Sequence, residues 1–113
     1  MHEMSIALSI IDLASDQAAK AEAQKIVEIE LDIGTLSGIE IEALIFAMEI
    51  AKMESIMETA KVKINKIEAI CECLECEHVF DAEGFINHCP QCGEMNTKII
   101  RGKELQLKSI LVE

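Results

Sequence analysis

Lys25-Ile26-Val27-Glu28-Ile29-Glu30-Leu31-Asp32-Ile33 alternates apolar and acidic residues from Val27 onward. A period of two places Val27, Ile29, Leu31 and Ile33 on one face of an extended chain, with Glu28, Glu30 and Asp32 on the other. Such a strand has one dry face and one wet face, so apolar cover is needed on a single side. Gly34 ends the run.

The flanking segments offer that cover. From Met4 to about Ala21, Met4, Leu8, Ile11 and Ala18 recur at helical spacing with Ala7, Ile10 and Ala14 beside them. Ser5, Ser9, Asp12, Asp16 and Lys20 make the opposite stripe. A second helix is expected from Ser37 to about Met53, burying Ile41, Leu44, Ile45, Met48 and Ala51. Ser37-x-x-Glu40 has the form of a capping box, two side chains answering the unpaired amides of a helix start. A second strand is expected over about Thr59 to Cys71. Its apolar parity shifts between Ile64 and Ile67, which calls for a bulge or bend near Asn65-Lys66. Glu104 to Glu113 reads as a closing strand.

The order is helix, strand, helix, strand, a cysteine-bearing turn region over 72–97, then a strand. The expected fold class is α+β, two helices on a small three-stranded sheet with an inserted four-cysteine ribbon. The expected division is 1–70 with 103–113 as one domain and 71–102 as the other. The 113 residues are half hydrophobic, with no Trp or Tyr and three Phe, so the core is aliphatic.

The formal net charge of -11 sets the field. So acidic a chain repels phosphate backbones and anionic lipid, and favours cations and basic partners. The sequence has no run of roughly 18 apolar residues that could span a bilayer. Met1-His2-Glu3-Met4 lacks the basic region and apolar stretch of a secretory signal. A cytoplasmic protein is expected, without nucleic-acid or membrane partners.

A reducing compartment makes the cysteines ligands rather than disulfides. Cys73-Leu74-Glu75-Cys76 and Cys89-Pro90-Gln91-Cys92 stand twelve residues apart, Glu77 through His88. Each CxxC turns tightly enough for both thiolates to reach one ion, and two such turns make a closed tetrahedral sulfur set suited to Zn(II). With every position filled by sulfur, no place is left for a catalytic water, so the role is structural. Cys71 reads as a small core hydrophobe at a strand end, and His78 and His88 as partly solvated loop residues. Iron is the rival ion, which would make a rubredoxin-like electron carrier. A zinc-ribbon interaction module is another rival. Nucleic-acid binding is disfavoured, because 71–97 contains no Lys or Arg while Glu72, Glu75, Glu77, Asp81, Glu83 and Glu94 are acidic.

The amino terminus holds a second donor set. Methionine is trimmed only before small residues, so Met1 is expected to stay ahead of His2. The Met1 amine, the His2 amide and the His2 ring can close fused chelate rings on one cation, and the Glu3 amide completes a planar nitrogen set. Ni(II) and Cu(II) prefer that geometry; Zn(II) and Mg(II) do not. A terminal histidine with no role is the plainer alternative. His2-Glu3 also begins HExxH, but Ile6 stands at the second histidine position, so there is no such protease site.

Taken together, Met1-His2-Glu3-Met4-Ser5, Asp32-Ile33-Gly34, the paired CxxC knuckles and Leu107-Lys108-Ser109-Ile110 resemble the HypA/HybF family over essentially the whole chain. These are hydrogenase nickel-incorporation metallochaperones. The resemblance implies a nickel domain of two helices and three strands with a zinc domain inserted. It implies nickel at the Met1 amine, His2 and Glu3, with His2 indispensable, and zinc at Cys73, Cys76, Cys89 and Cys92. An acidic residue at the position of Glu40 is linked to nickel in the family, which competes with the capping-box reading. Cys71 is not part of the usual family pattern. The implied action is transfer and not catalysis, with a HypB-type GTPase as co-chaperone and the large subunit of a NiFe-hydrogenase as acceptor. Delivery to another nickel enzyme such as urease stays open.

Overall fold

The computed structural model describes residues 2–113. Eight elements follow in order: α1 (Glu3–Lys20), β1 (Ile26–Gly34), α2 (Ile41–Ala51), β2 (Lys61–Ile67), β3 (Ile70–Cys73), β4 (Val79–Asp81), β5 (Thr97–Arg101) and β6 (Leu105–Val112). The strands make two three-stranded sheets, ordered β2-β1-β6 and β4-β3-β5. The α+β class and the two helices stand as expected; the second sheet was not foreseen.

The chain divides into two compact units. One comprises the residues up to Asp32, Ile39–Asn65 and Gln106–Glu113; the other comprises Ile33–Gly38 and Lys66–Leu105.

In the first unit α1 packs on α2. The buried stripe of α1 is Ala7, Ile10, Ile11, Ala14 and Ala18, while α2 buries Leu44, Ala47 and Met48. Ile26, Ile29 and Leu31 of β1 complete this core with Met57 and Ala60. Three expected core residues lie outside it, since Met4, Leu8 and Ile45 are exposed. Alanines make up much of the buried stripe of α1, alongside Ile10 and Ile11. The wet face of β1 carries a polar network. Asn65 Nδ2 donates to Glu30 Oε2 (2.6 Å) and Asp32 Oδ1 (2.9 Å), and Gln106 Nε2 donates to Asp32 Oδ2 (3.3 Å). Lys108 Nζ sits 3.5 Å from Glu30 Oε2. The Asn65 hydrogen bonds, ahead of any other influence, hold both carboxyls below the usual carboxylate range.

The start of α2 differs from the capping-box expectation. Gly38 has φ +82°, a left-handed conformation incompatible with a helix beginning at Ser37. The helix cap is Glu40 instead, and its side chain makes no cap hydrogen bond. Ser37 N–H closes a turn on Gly34 O (3.0 Å).

The expected strand over 59–71 is two strands. The chain leaves the first sheet at Glu68-Ala69, not at Asn65-Lys66, and enters the second at Ile70. The break is fixed in the second unit by distant backbone partners: Thr35 N–H donates to Ile67 O (2.9 Å) and Ala82 N–H to Ala69 O (3.0 Å). Gly102, at φ +112°, lies so close to Ala69 that a Cβ there would strike the Ala69 backbone. Within this unit, β3 pairs antiparallel with both β4 and β5, placing Cys71 opposite Phe80 and Ile99.

Candidate metal centre

The four-cysteine site is built by two turns of matching design. In the first, β3 ends at Cys73, whose N–H donates to His78 O (2.9 Å) while its carbonyl accepts from Glu77 N–H (2.9 Å). In the second, Cys89 N–H donates to Glu94 O (2.9 Å), and Cys89 O accepts from Gly93 N–H (2.8 Å). The Cys76 amide lies 3.5 Å from Cys73 Sγ, and the Cys92 amide 3.5 Å from Cys89 Sγ. In both turns the residue after the second cysteine is left-handed, Glu77 at φ +65° and Gly93 at φ +79°. Glycine suits that conformation; glutamate bears a steric cost there. The turns are held together by Leu74 N–H donating to Asn96 O (2.8 Å) and by the register match of Cys73 with Thr97.

The four Sγ atoms all lie within 4.8 Å of one another. Cys73 and Cys92 are 3.5 Å apart at sulfur, and Cys76 and Cys89 are 3.6 Å apart. A zinc tetrathiolate with bonds near 2.3 Å separates its sulfurs by roughly 3.8 Å. The spacing fits one tetrahedral ion and is far beyond the ~2.05 Å of a disulfide; all five cysteines are free. The donor set therefore suits Zn(II), and when bound the ion cross-links the two turns.

The thiols share their protons unequally. Burial pushes the Cys89 thiol up, but the amides of Cys92 and Gln91 and the neighbouring thiols outweigh it and bring it down to about 7. For Cys92, the Glu94 amide favours the thiolate, but burial and the other three thiols win and push it up to about 12. Four thiolates without a cation repel one another, and a divalent ion removes that repulsion by displacing the protons.

Cys71 is fully buried in β3 and is not one of the four. His88 is exposed, and His78 stacks on Phe80 with ring centroids 5.8 Å apart. Neither histidine joins the cysteine group. Among the described residues, the four cysteines are the one cluster of three or more such side chains with metal-holding spacing.

At the other end of the chain, Met1 lies outside the described residues. His2 is the N-cap of α1, extended at φ −91° and ψ 120°, exposed, with no side-chain cap bond; Glu3 is the first helical residue. The first helical N–H groups have no partner within a helix, while His2 O already accepts from Ile6 N–H (3.2 Å). The Glu40 amide lies 3.5 Å from Glu3 Oε2. Thus Glu3 and Glu40, 37 residues apart in the chain, meet at one place. Sequence reasoning missed the left-handed Glu77 and the loop-closing Asn87. The first was legible in principle, since Glu77 stands at the same offset from its CxxC as Gly93.

A unit of two helices and a three-stranded sheet, and a ribbon unit with a closed sulfur tetrahedron, define an α+β protein with one tetrathiolate metal site among the described residues. The sequence model of the family described as hydrogenase/urease nickel incorporation, metallochaperone, hypA matches residues 1–112. Hydrogenase maturation factor HypA of Parabacteroides distasonis is 42% identical over 113 residues, covering 100% of this chain and 98% of that one. The protein of the same name from Prosthecochloris aestuarii is 43% identical over 115 residues, covering 100% of both. The solution structure of the Ni metallochaperone HypA from Helicobacter pylori superposes with TM-score 0.71 at 31% identity, over 99% of this chain and 97% of that one. A second HypA solution structure gives TM-score 0.76 at 30% identity, over 100% and 97%. The chain belongs to the HypA family of nickel-incorporation metallochaperones.

Proposed function

We propose that this chain takes up Ni(II) at its amino terminus, through the Met1 amine, the His2 amide and ring, and Glu3, and passes it on by ligand exchange during NiFe-hydrogenase maturation. One observation carries the reading: His2 is an exposed N-cap, so the backbone nitrogens a planar chelate needs are not committed to the helix. Binding there costs α1 no internal hydrogen bond. Glu40 supports the reading as a neighbouring carboxylate, since its own amide already meets Glu3 and its side chain caps nothing.

The proposed nickel domain is 1–70 with 103–113 and the proposed zinc domain is 71–102, with zinc at Cys73, Cys76, Cys89 and Cys92; these bounds differ from the two compact units at 33–38, 66–70 and 103–105. The partners are a HypB-type GTPase and the hydrogenase large subunit, and the setting is the cytoplasm. The chemistry is transfer, without catalysis: amine, amide and imidazole donors compete with protons, so the ion is held at neutral pH and released on acidification. Cu(II) outcompetes Ni(II) in simple titration, following the usual divalent order.

Isothermal titration of the native-terminus protein with Ni(II) tests this. One tight site is expected, lost in His2→Ala and on adding any amino-terminal tag, with zinc content unchanged. A tagged protein that keeps the same nickel affinity sinks the terminal chelate.

A further inference from the structure

The loop entering the second cysteine turn is more strongly built than a connection needs. Asn87 is the one buried polar residue among the described residues, at 7% exposure. Its Oδ1 accepts from Glu83 N–H (2.9 Å), its Nδ2 donates to Gly84 O (2.8 Å), and its carbonyl accepts from Thr97 Oγ1 (3.2 Å). These bonds close the turn from Glu83 to Asn87 and tie it to the start of β5, whose Thr97 pairs with Cys73. At the tip of this fastened turn stand Phe85 and Ile86, 66% and 79% exposed.

Single apolar residues on a surface are ordinary. Here two large adjacent ones are held out on a loop whose rigidity is secured by the one buried polar residue. A turn that only had to connect could place polar residues at 85 and 86 at no cost to the Asn87 bonds. An anchor whose backbone turn is already fastened loses less freedom on docking than one on an open loop, which favours binding.

The charge around the tip specifies what receives it. Asp81 and Glu83 precede it, no Lys or Arg occurs from Cys71 through Thr97, and a zinc tetrathiolate adds further negative charge. Anionic lipid and nucleic acid are repelled, and a second copy brings another net charge of -11. We infer that Phe85 and Ile86 form a docking plug for an apolar pocket ringed by lysine and arginine on a partner protein. Glu83 supplies the polar rim of the contact, and Asn87 acts as a positioning residue for the plug.

The choice of probes rests on the proposed function: a purified HypB-type GTPase and a purified NiFe-hydrogenase large-subunit precursor. The full zinc-loaded chain is titrated into each at two salt concentrations, with Phe85→Ser, Ile86→Ser, Glu83→Lys, Asn87→Ala and, as a control on α2, Phe46→Ser. For at least one probe, Phe85→Ser and Ile86→Ser are expected to weaken binding about tenfold or more. Glu83→Lys should weaken it and flatten its salt dependence, and Phe46→Ser should leave it unchanged. Zinc content and circular dichroism confirm that the tip variants remain folded. Binding within twofold of the unmodified chain by both tip variants overturns the plug, as does failure of the unmodified chain to bind either probe. A dimer in sedimentation that Phe85→Ser abolishes also overturns it, by making a second copy the occupant. Nickel loading is measured in parallel: it is untouched in every tip variant, so its absence counts against the terminal chelate and not against the plug.

Discussion

The backbone amide of Glu40 lies 3.5 Å from the carboxylate of Glu3, at the long end of hydrogen bonding. The first residue of α1 and the cap of α2 are thereby neighbours. If nickel draws on the Glu3 carboxylate, that contact must give way. Addition of one equivalent of Ni(II) to 15N-labelled protein is therefore expected to move the Glu40 amide resonance. The shift should vanish in His2→Ala and leave residues of the ribbon unmoved. A Glu40 resonance indifferent to nickel would remove the Glu3 carboxylate, though not its amide, from the ligand set.

The wet face of β1 makes a prediction about acid. Glu30 and Asp32 are held ionised below their ordinary range, first by Asn65. A carboxyl whose folded pKa is depressed contributes stability above its unfolded pKa and loses it as pH falls through the folded value. Asn65→Ala should raise both carboxyls towards ordinary carboxylate values, lower stability at pH 7, and make the loss of stability on acidification shallower. Side-chain 13C titration with denaturant melts at neutral and acid pH checks the direction.

Glu77 and Gly93 occupy equivalent left-handed positions with opposite suitability. A Cβ at Gly93 meets nothing within 4 Å, so Gly93→Ala costs conformational strain alone, about 1 kcal/mol. Glu77→Gly should relieve a strain of similar size, offset in part by the greater freedom glycine gains on unfolding. Chemical denaturation of the zinc-loaded variants, read at the ribbon, should show a loss for the first and no loss for the second.

Gly34 illustrates a different constraint. A side chain there would run into the Gly102 carbonyl, and the Gly34 N–H donates to Glu104 O at 2.7 Å. Backbone cannot swing aside as a flexible side chain can, so Gly34→Ala is expected to cost about 3 kcal/mol or more. Loss of hydrogen-exchange protection at Leu36 and Thr35, whose amides bond Gly102 O and Ile67 O, would report it.

Removing the ion should affect one unit and spare the other. Cys89→Ser, or a strong chelator, is expected to abolish zinc binding and raise thiol reactivity, while α1 and α2 keep their amide protection, since their core is their own. The loaded protein should be colourless; an intense red would mean iron in the sulfur site instead.

Much of this was legible in the chain itself. The alternation after Val27 defined β1, and paired CxxC spacing defined the sulfur cluster, because both depend on residues close in sequence. Helical spacing found α1 and α2, but it could not say which apolar stripe would be covered. Leu8 and Ile45 look as apolar as Ile10 and Leu44, yet the packing partner chose the second pair.

What tertiary structure alone decided rests on hydrogen bonds and contacts that periodicity does not record, some of them from far along the chain. Strand 59–71 breaks at Glu68-Ala69 because Thr35, Ala82 and Gly102 close around that point. Helix α2 starts at Ile41 because Gly38 turns left-handed beside a backbone turn closed on Gly34. The same holds for Glu3 beside Glu40, and for a buried Asn87 that leaves Phe85 and Ile86 outside. Periodicity records which residues could share a face, and only the folded chain settles what lies against it.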